Sequence, residues 1–239
     1  MSDPYERCKE ALDREIHHHH FAGRRVSVRC KALSAKEAIG NPEHTDYPII
    51  KGREVMVEAD FGGIKGQAFT DAFENADIAV EDLLKMTLDT NQRRAVFISG
   101  LNAVFRHLGL CGKTIHCRDN EPKQCAEGLS SAIGAHQKVL LVGHQPRFLE
   151  CLAANYDVRA VDLDPDNIGK TFSCVTIEPP EKTPEAINWC DLIFATGSTM
   201  VNGTLPAFIG LDKPVIFYGV TISAAAKICG LKTYCACGH

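Results

Sequence analysis

The nine residues Thr196-Gly197-Ser198-Thr199-Met200-Val201-Asn202-Gly203-Thr204 hold the densest chemistry in the chain. Glycines let a ligand approach the backbone, while hydroxyls and helix-start amides donate hydrogen bonds to an anion or a polar group. Helix capping by Asn202 or Thr204 is the competing explanation, since both are preferred caps. Two hydroxyl-and-glycine clusters in so short a stretch exceed what one cap requires, so a binding loop is expected. It contains no Lys and is not a Walker loop.

A second stretch, Gly143-His144-Gln145-Pro146, follows the apolar run Lys138-Val139-Leu140-Leu141-Val142, and Asp162 stands 19 residues after Gly143. Strand, glycine and distant acid are half of a dinucleotide fingerprint. The other half is missing. Pro146 has no backbone donor, and His144, Gln145 and Arg147 put side chains where a pyrophosphate would lie. Asp162 and Asp164 suit either ligand contact or the capping of a turn.

Metal chemistry is the third candidate. Cys229, Cys235, Cys237 and His239 fall within eleven residues, and thiolates with imidazole suit a transition metal such as zinc or copper(I). Their spacing is irregular, and free cysteines are commonly core residues. Cys111, His116, Cys117 and Cys125 form a similar group, again without a Cys-x-x-Cys pair. In the run His17 to His20, His17 and His20 would share a helix face able to hold a metal, although a solvated helix end is the better explanation.

The elements that must position these residues divide the chain. Tyr5, Cys8, Leu12 and Ile16 predict a first helix over Asp3 to His20, stopped at Gly23. Alternation in Arg25 to Ala32, and from Gly52 to Phe69 with a break at Phe61 to Gly63, predicts antiparallel strands. Asn75 to Leu88 reads as a helix capped by Asn75, and Arg93 to Gly109 as another. After Pro122, six short apolar runs alternate with helix-length segments, the pattern of a parallel sheet with crossover helices. A helix is expected to begin near Asn202 to Thr204.

Composition bounds the function. The chain has 239 residues, 45% hydrophobic and 23% charged, and a formal net charge of −4. No concentrated basic surface is visible, so nucleic acid is not an expected partner. No stretch reaches the ~18 apolar residues of a membrane span. The polar opening sequence does not resemble a signal peptide, and eleven cysteines without a leader imply thiols in the cytoplasm. A homo-oligomer is compatible with all of this.

The segments "TGSTMVNGTLPAFI" (196–209), "GLNAVF" (100–105), "LLVGHQPRF" (140–148) and "KPVIFYGVTIS" (213–223) resemble the heavy-metal chelation family. That resemblance implies a Rossmann-like C-terminal domain preceded by a small enolase-N-terminal-like domain, with a site in the interdomain cleft. The matching positions are Asn102, Gly143, Pro146, Thr196, Gly197, Ser198, Asn202, Gly203, Thr204 and Gly219. Gln145 stands where family members tend to carry an aromatic residue, which alters that wall of the pocket.

The expectation is therefore an α/β protein, with a small α+β domain over residues 1–90 and a Rossmann-like domain over 91–239. Its cleft would bind a metal ion or a metal-associated or anionic small ligand. Asn102, His144 and Asp162 would make directional contacts, and the loop from Thr196 to Thr204 would be the polar cradle. The alternative is a transferase or lyase using a nucleotide-like or S-adenosylmethionine-like cofactor with Asp162 on its ribose.

Overall fold

The computed structural model describes residues 3–29, 38–41, 47, 49–50, 54–73 and 75–239. Cys30 to Ala32, expected to finish the first strand, and Gly52 and Arg53, expected to begin the second, lie outside the described residues. Helix α1 (Pro4–His18) buries Cys8, Leu12 and Ile16 of the stripe read from the sequence, with Ala11 beside them and Tyr5 half-buried. Asp3 caps it, its carboxylate accepting the Tyr5 amide at 2.9 Å.

Strands β1 (Arg25–Arg29), β2 (Val55–Phe61), β3 (Ile64–Thr70) and β4 (Ala76–Ala79) form an antiparallel sheet in the order β3-β2-β1-β4. The β2–β3 turn falls at Gly62 and Gly63, where Asp60 accepts the Gly63 amide at 2.9 Å. The helix expected from Asn75 to Leu88 is not what forms. Ala76 to Ala79 pair with β1, and only Val80–Lys85 is helical (α2), with Ala79 at its N-cap instead of Asn75. The open edge of β1 outcompetes a weak local helical preference, as tertiary pairing commonly does.

Helix α3 (Asn91–His107) begins at Thr90, whose hydroxyl accepts the Arg93 amide at 3.2 Å. Every residue from Ala95 to Phe105 is buried, which marks a helix enclosed on all sides. It lies across β2 and β3 and also packs against α8 and α9, defined below. The contact with β3 is so close that a Cβ at Gly66 would collide with the backbone of Ser99, Asn102 and Ala103.

The second sheet contains β5 (Lys138–Val142), β6 (Asp157–Val161), β7 (Thr171–Phe172), β8 (Val175–Glu178), β9 (Leu192–Thr196), β10 (Val215–Tyr218) and β11 (Lys232–Tyr234). Their order is β11-β10-β9-β5-β6-β8-β7, and every pair is parallel except β7–β8. This large, mostly parallel sheet bears out the α/β expectation. Alternate residues of the central strands serve two faces. Leu140, Val142, Ile193, Ala195 and Phe217 join the core that contains α1 and α3. Val139, Leu141, Leu192, Phe194 and Ile216 face α4 (Glu121–Glu127), α5 (Leu129–Ile133) and α6 (Pro146–Asn155).

The remaining helices are α7 (Thr183–Trp189), α8 (Thr199–Asn202) and α9 (Ser223–Cys229). The helix expected near Asn202 starts earlier and is short. Thr199 to Asn202 make one turn, Gly203 takes a left-handed φ of 82°, and a 3-10 turn follows over Leu205–Phe208. The last strand is also shorter than its apolar run, ending at Tyr234 before Cys235. Among the described residues no helix is long and apolar enough to cross a membrane.

Candidate functional site

The chain from β5 turns one way to β6, and β9 later lies on the other side of β5. Ligands of open parallel sheets bind outside the carboxyl ends of strands at such a reversal. A cavity of about 890 Å³ occupies this place. It is walled by the strand-end loops at Gly143–Gln145, Val161–Pro165, Thr196–Ser198 and Tyr218–Gly219, and opposite them by Glu54, Phe69, Thr70 and Asp71 from the antiparallel sheet and its flanks. Its size suits a small organic molecule.

At its floor, Gly143 adopts φ 87°. A Cβ there would lie 2.8 Å from Thr196 Cγ2, so β5 and β9 approach as closely as they do because the position is glycine. The Tyr218 hydroxyl donates toward the carbonyls of Gly143 (2.9 Å) and Val142 (3.1 Å). Burial first, then the nearby Asp162 and Glu54 charges, hold that phenol well above its usual range.

Asp162 is a clamp. Its carboxylate accepts the His144 amide at 2.5 Å and the Asp164 amide at 2.6 Å, and Asp164 in turn accepts the Asp166 amide at 2.9 Å. The carboxylate thereby fixes the turn after β5 against the turn after β6. Gln145 caps α6 by accepting the Phe148 amide at 2.6 Å, with Pro146 at the first helical position. One helix-start donor is thus occupied and another missing, which leaves little for a pyrophosphate to grip. The His144 ring packs at 4.4 Å on Phe172, buried.

The loop from Thr196 to Thr204 is organised by its own side chains. The Thr196 hydroxyl accepts the Ser198 amide at 3.2 Å, and the Thr199 hydroxyl donates to the Thr196 carbonyl at 2.8 Å. Asn202 accepts from the Thr204 amide (3.0 Å) and hydroxyl (2.7 Å). Thr196, Ser198, Asn202 and Thr204 line the cavity together with Gly219. Gly197 and Gly203 are not among the lining residues; Gly197 backs onto Ile222, and Gly203 lies against the Arg94 guanidinium. Arg94 is spent on the carbonyls of Val201 and Leu88 and on Asn91.

Asn102 is placed elsewhere. It is fully buried and off the cavity wall. Its amide donates to the carbonyls of Gln67 (3.0 Å), Thr221 (3.0 Å) and Val220 (3.3 Å), and its oxygen accepts the Ala224 amide at 2.9 Å. The residue pins the antiparallel sheet, the loop after β10 and the start of α9 to one point. Pro146 likewise serves the start of α6.

The ligand atoms of the four residues proposed as one metal set do not gather within 4.8 Å of one another, and Cys229 stands apart from the rest. Cys229 meets Cys8 of α1; their shared thiol hydrogen bond pulls Cys229 down to about 7 and pushes Cys8 up. The His239 imidazole lies 3.0 Å from Glu121. Cys235 and Cys237 instead join Cys117 and Cys125, close enough to act on one another electrostatically. Cys117, Cys125 and Cys235 line the cavity beside His116. Burial raises Cys117 and pushes Cys235 up to about 11. These sulfurs are not drawn into a tight ligand set, however: among the described residues the one group of three ligating atoms within 4.8 Å of one another is Glu15, His18 and His19.

His116 gives its Nδ1 to the Cys117 carbonyl at 2.6 Å, and its ring meets Phe69 edge-on at 5.0 Å. A carbonyl can only accept, so the proton sits on Nδ1 and Nε2 keeps its lone pair. Burial brings its pKa down to about 4. Glu54 shifts the other way. Burial, reinforced by Asp162, Asp164 and Asp71, raises its carboxyl to about 7.

Sequence reasoning missed Glu54, Asp71 and Tyr218. Each is a lone residue of ordinary type in its own stretch, and only the fold assembles them. The parity of β10 could have suggested that Tyr218 shares a face with Ile216, but nothing local marked the other two.

The fold is that of an α/β protein with a large, mostly parallel sheet, a smaller antiparallel sheet and a cavity at the strand ends. Residues 128–231 match the family described as "Putative heavy-metal chelation", and over that span the resemblance read from the sequence is borne out. A crystal structure of a family protein of unknown function from Pyrococcus horikoshii is 13% identical, with a TM-score of 0.56 over 92% of this chain and 80% of that one. Another, from Desulfitobacterium hafniense DCB-2, is 14% identical, with a TM-score of 0.52 over 89% and 78%. At these identities the likeness concerns the fold. None of the curated proteins matches the chain.

Proposed function

We propose that the protein binds a metal ion, or a small molecule carrying a metal or another cationic centre, in the cavity between its two sheets. The observation that carries this reading is the charge of the wall. Glu54, Asp71, Asp162 and Asp164 line the cavity with His116 and three cysteines, and among the described lining residues there is no Lys or Arg. An anion would face the negative field of these carboxylates, whereas a cation would be attracted and held by oxygens. The anionic half of the sequence-based expectation therefore gives way to a cationic one. Hydroxyls at Thr196, Ser198 and Thr204 supply neutral oxygens, and Tyr47, Phe69 and Phe148 an apolar wall for an organic body.

Asp162 is already engaged by two backbone amides, so a ribose-binding role for it has little geometric support. The thiol content suits a reducing cytoplasm. Thermal unfolding with divalent cations on one side, and phosphate or citrate on the other, tests the reading. Cations should raise the melting temperature by mass action, more at pH 8 than at pH 6 because Glu54 must release its proton. In a His18→Ala, His19→Ala background, Glu54→Gln with Asp71→Asn should abolish the shift. Stabilisation by the anions alone would refute the proposal.

A further inference from the structure

The run of four histidines does not act as one unit, and its geometry points to a second metal site: Glu15, His18 and His19 together take a borderline divalent transition ion such as Ni²⁺, Cu²⁺ or Zn²⁺. This site lies outside residues 128–231 and does not depend on the cavity. Glu15 to His18 is a three-residue step and Glu15 to His19 a four-residue step, so all three meet on one side of the last turn of α1. Their ligand atoms lie within 4.8 Å of one another. His19 Nε2 is 3.4 Å from the Glu15 carboxylate, and the His18 and His19 rings stand edge-on with centroids 4.6 Å apart.

Three further observations single out these residues. His17 is turned away, its Nδ1 lying 2.8 Å from the Asp13 carbonyl one turn back. His20 has left the helix at φ 54°. The His19 ring stacks at 5.5 Å on Phe21, which packs on Phe61 and His107, so one imidazole is braced before any ion arrives. The carbonyl end of a helix also favours positive charge.

Imidazole with one carboxylate suits borderline ions and not Ca²⁺ or Mg²⁺, which prefer all-oxygen shells. Bonds near ~2.1 Å require ligand atoms about 3–3.5 Å apart, a closure that exposed His18 reaches by a rotamer change. Three protein ligands leave open positions for water.

Calorimetric titration of the full chain with Ni²⁺ tests the inference. One ion per chain is expected at this site, counted apart from any ion held in the cavity, with its affinity falling at least ~10-fold in His18→Ala and in His19→Ala, and ~3-fold or more in Glu15→Gln. His17→Ala should leave it unchanged, as should Glu54→Gln with Asp71→Asn, which separates this site from the cavity. Equal losses from all the histidine substitutions would mean only diffuse affinity for a histidine tract. Either that result or binding that persists in His18→Ala with His19→Ala would overturn the assignment.

Discussion

The two ends of the cavity are built from opposite chemistry. At the end beside β5 and β6, Asp162 and Asp164 are held by backbone amides, and their charge is felt by buried Glu54. At the other, beside Cys125, burial keeps His116, Cys117 and Cys235 neutral. The first end presents preformed hard oxygen ligands. The second presents thiols that become ligands only when a metal displaces their protons, beside an imidazole nitrogen that is already unprotonated. One pocket can thus hold two kinds of group at once, and its selectivity depends on which end a ligand must satisfy.

The strongest way to break the comparison is to cut the clamp at the oxygen end. Asp162→Ala strands the His144 and Asp164 amides, and we expect a loss of about 3 kcal/mol in urea unfolding, from two charge-assisted hydrogen bonds. Were the loss under about 1 kcal/mol, that end would not be preorganised.

The two ends also titrate in opposite senses. Glu54 is raised in the folded state, so the folded protein holds more protons and its stability declines as pH rises from about 4.5 to 7. His116 is lowered, so the unfolded chain holds more protons and stability declines as pH falls from about 6.5 to 4. Each corresponds to about 3 kcal/mol at most. Measured against the native protein, Glu54→Gln should gain that stability progressively toward pH 8, and His116→Gln should gain it progressively toward pH 4. Parallel curves for native and variant proteins would show that neither group is perturbed.

At the soft end, raised thiols mean slow chemistry. With a disulfide reagent at pH 7, exposed Cys174 and half-buried Cys229 should react first and Cys117 and Cys235 at least ~10-fold more slowly. The smallest effect sharpens the comparison at its hydroxyl-rich border. Asn202→Ala removes two bonds to Thr204 and should cost about 1 kcal/mol, without altering either pH curve.

Much of the frame was legible because it is local. Apolar runs of five residues bounded by glycine declared the parallel strands, and Tyr5, Cys8, Leu12 and Ile16 declared α1. The miss at Ala76 to Ala79 has a non-local cause, the edge of a strand some fifty residues earlier. The site was legible only in part for the same reason. Residues on the strand-end loops, such as Gly143, Asp162, Thr196 and Ser198, do line the cavity, since fold class alone sends such loops there. Asn102 carried a motif but faces inward, and the C-terminal cysteines found partners over a hundred residues earlier. Spacing along the chain holds no information about such meetings.

Asn102 has a consequence for how the molecule can be divided. The span that matches the family begins at residue 128, yet the helix holding the loop after β10 in place lies before it. A fragment cut at that boundary would lose α3, uncover the sheet face formed by Leu140, Ile193 and Phe217, and release the carbonyls of Val220 and Thr221 from their shared donor. A fragment meant to keep that face covered and those carbonyls bonded should therefore start no later than Thr90.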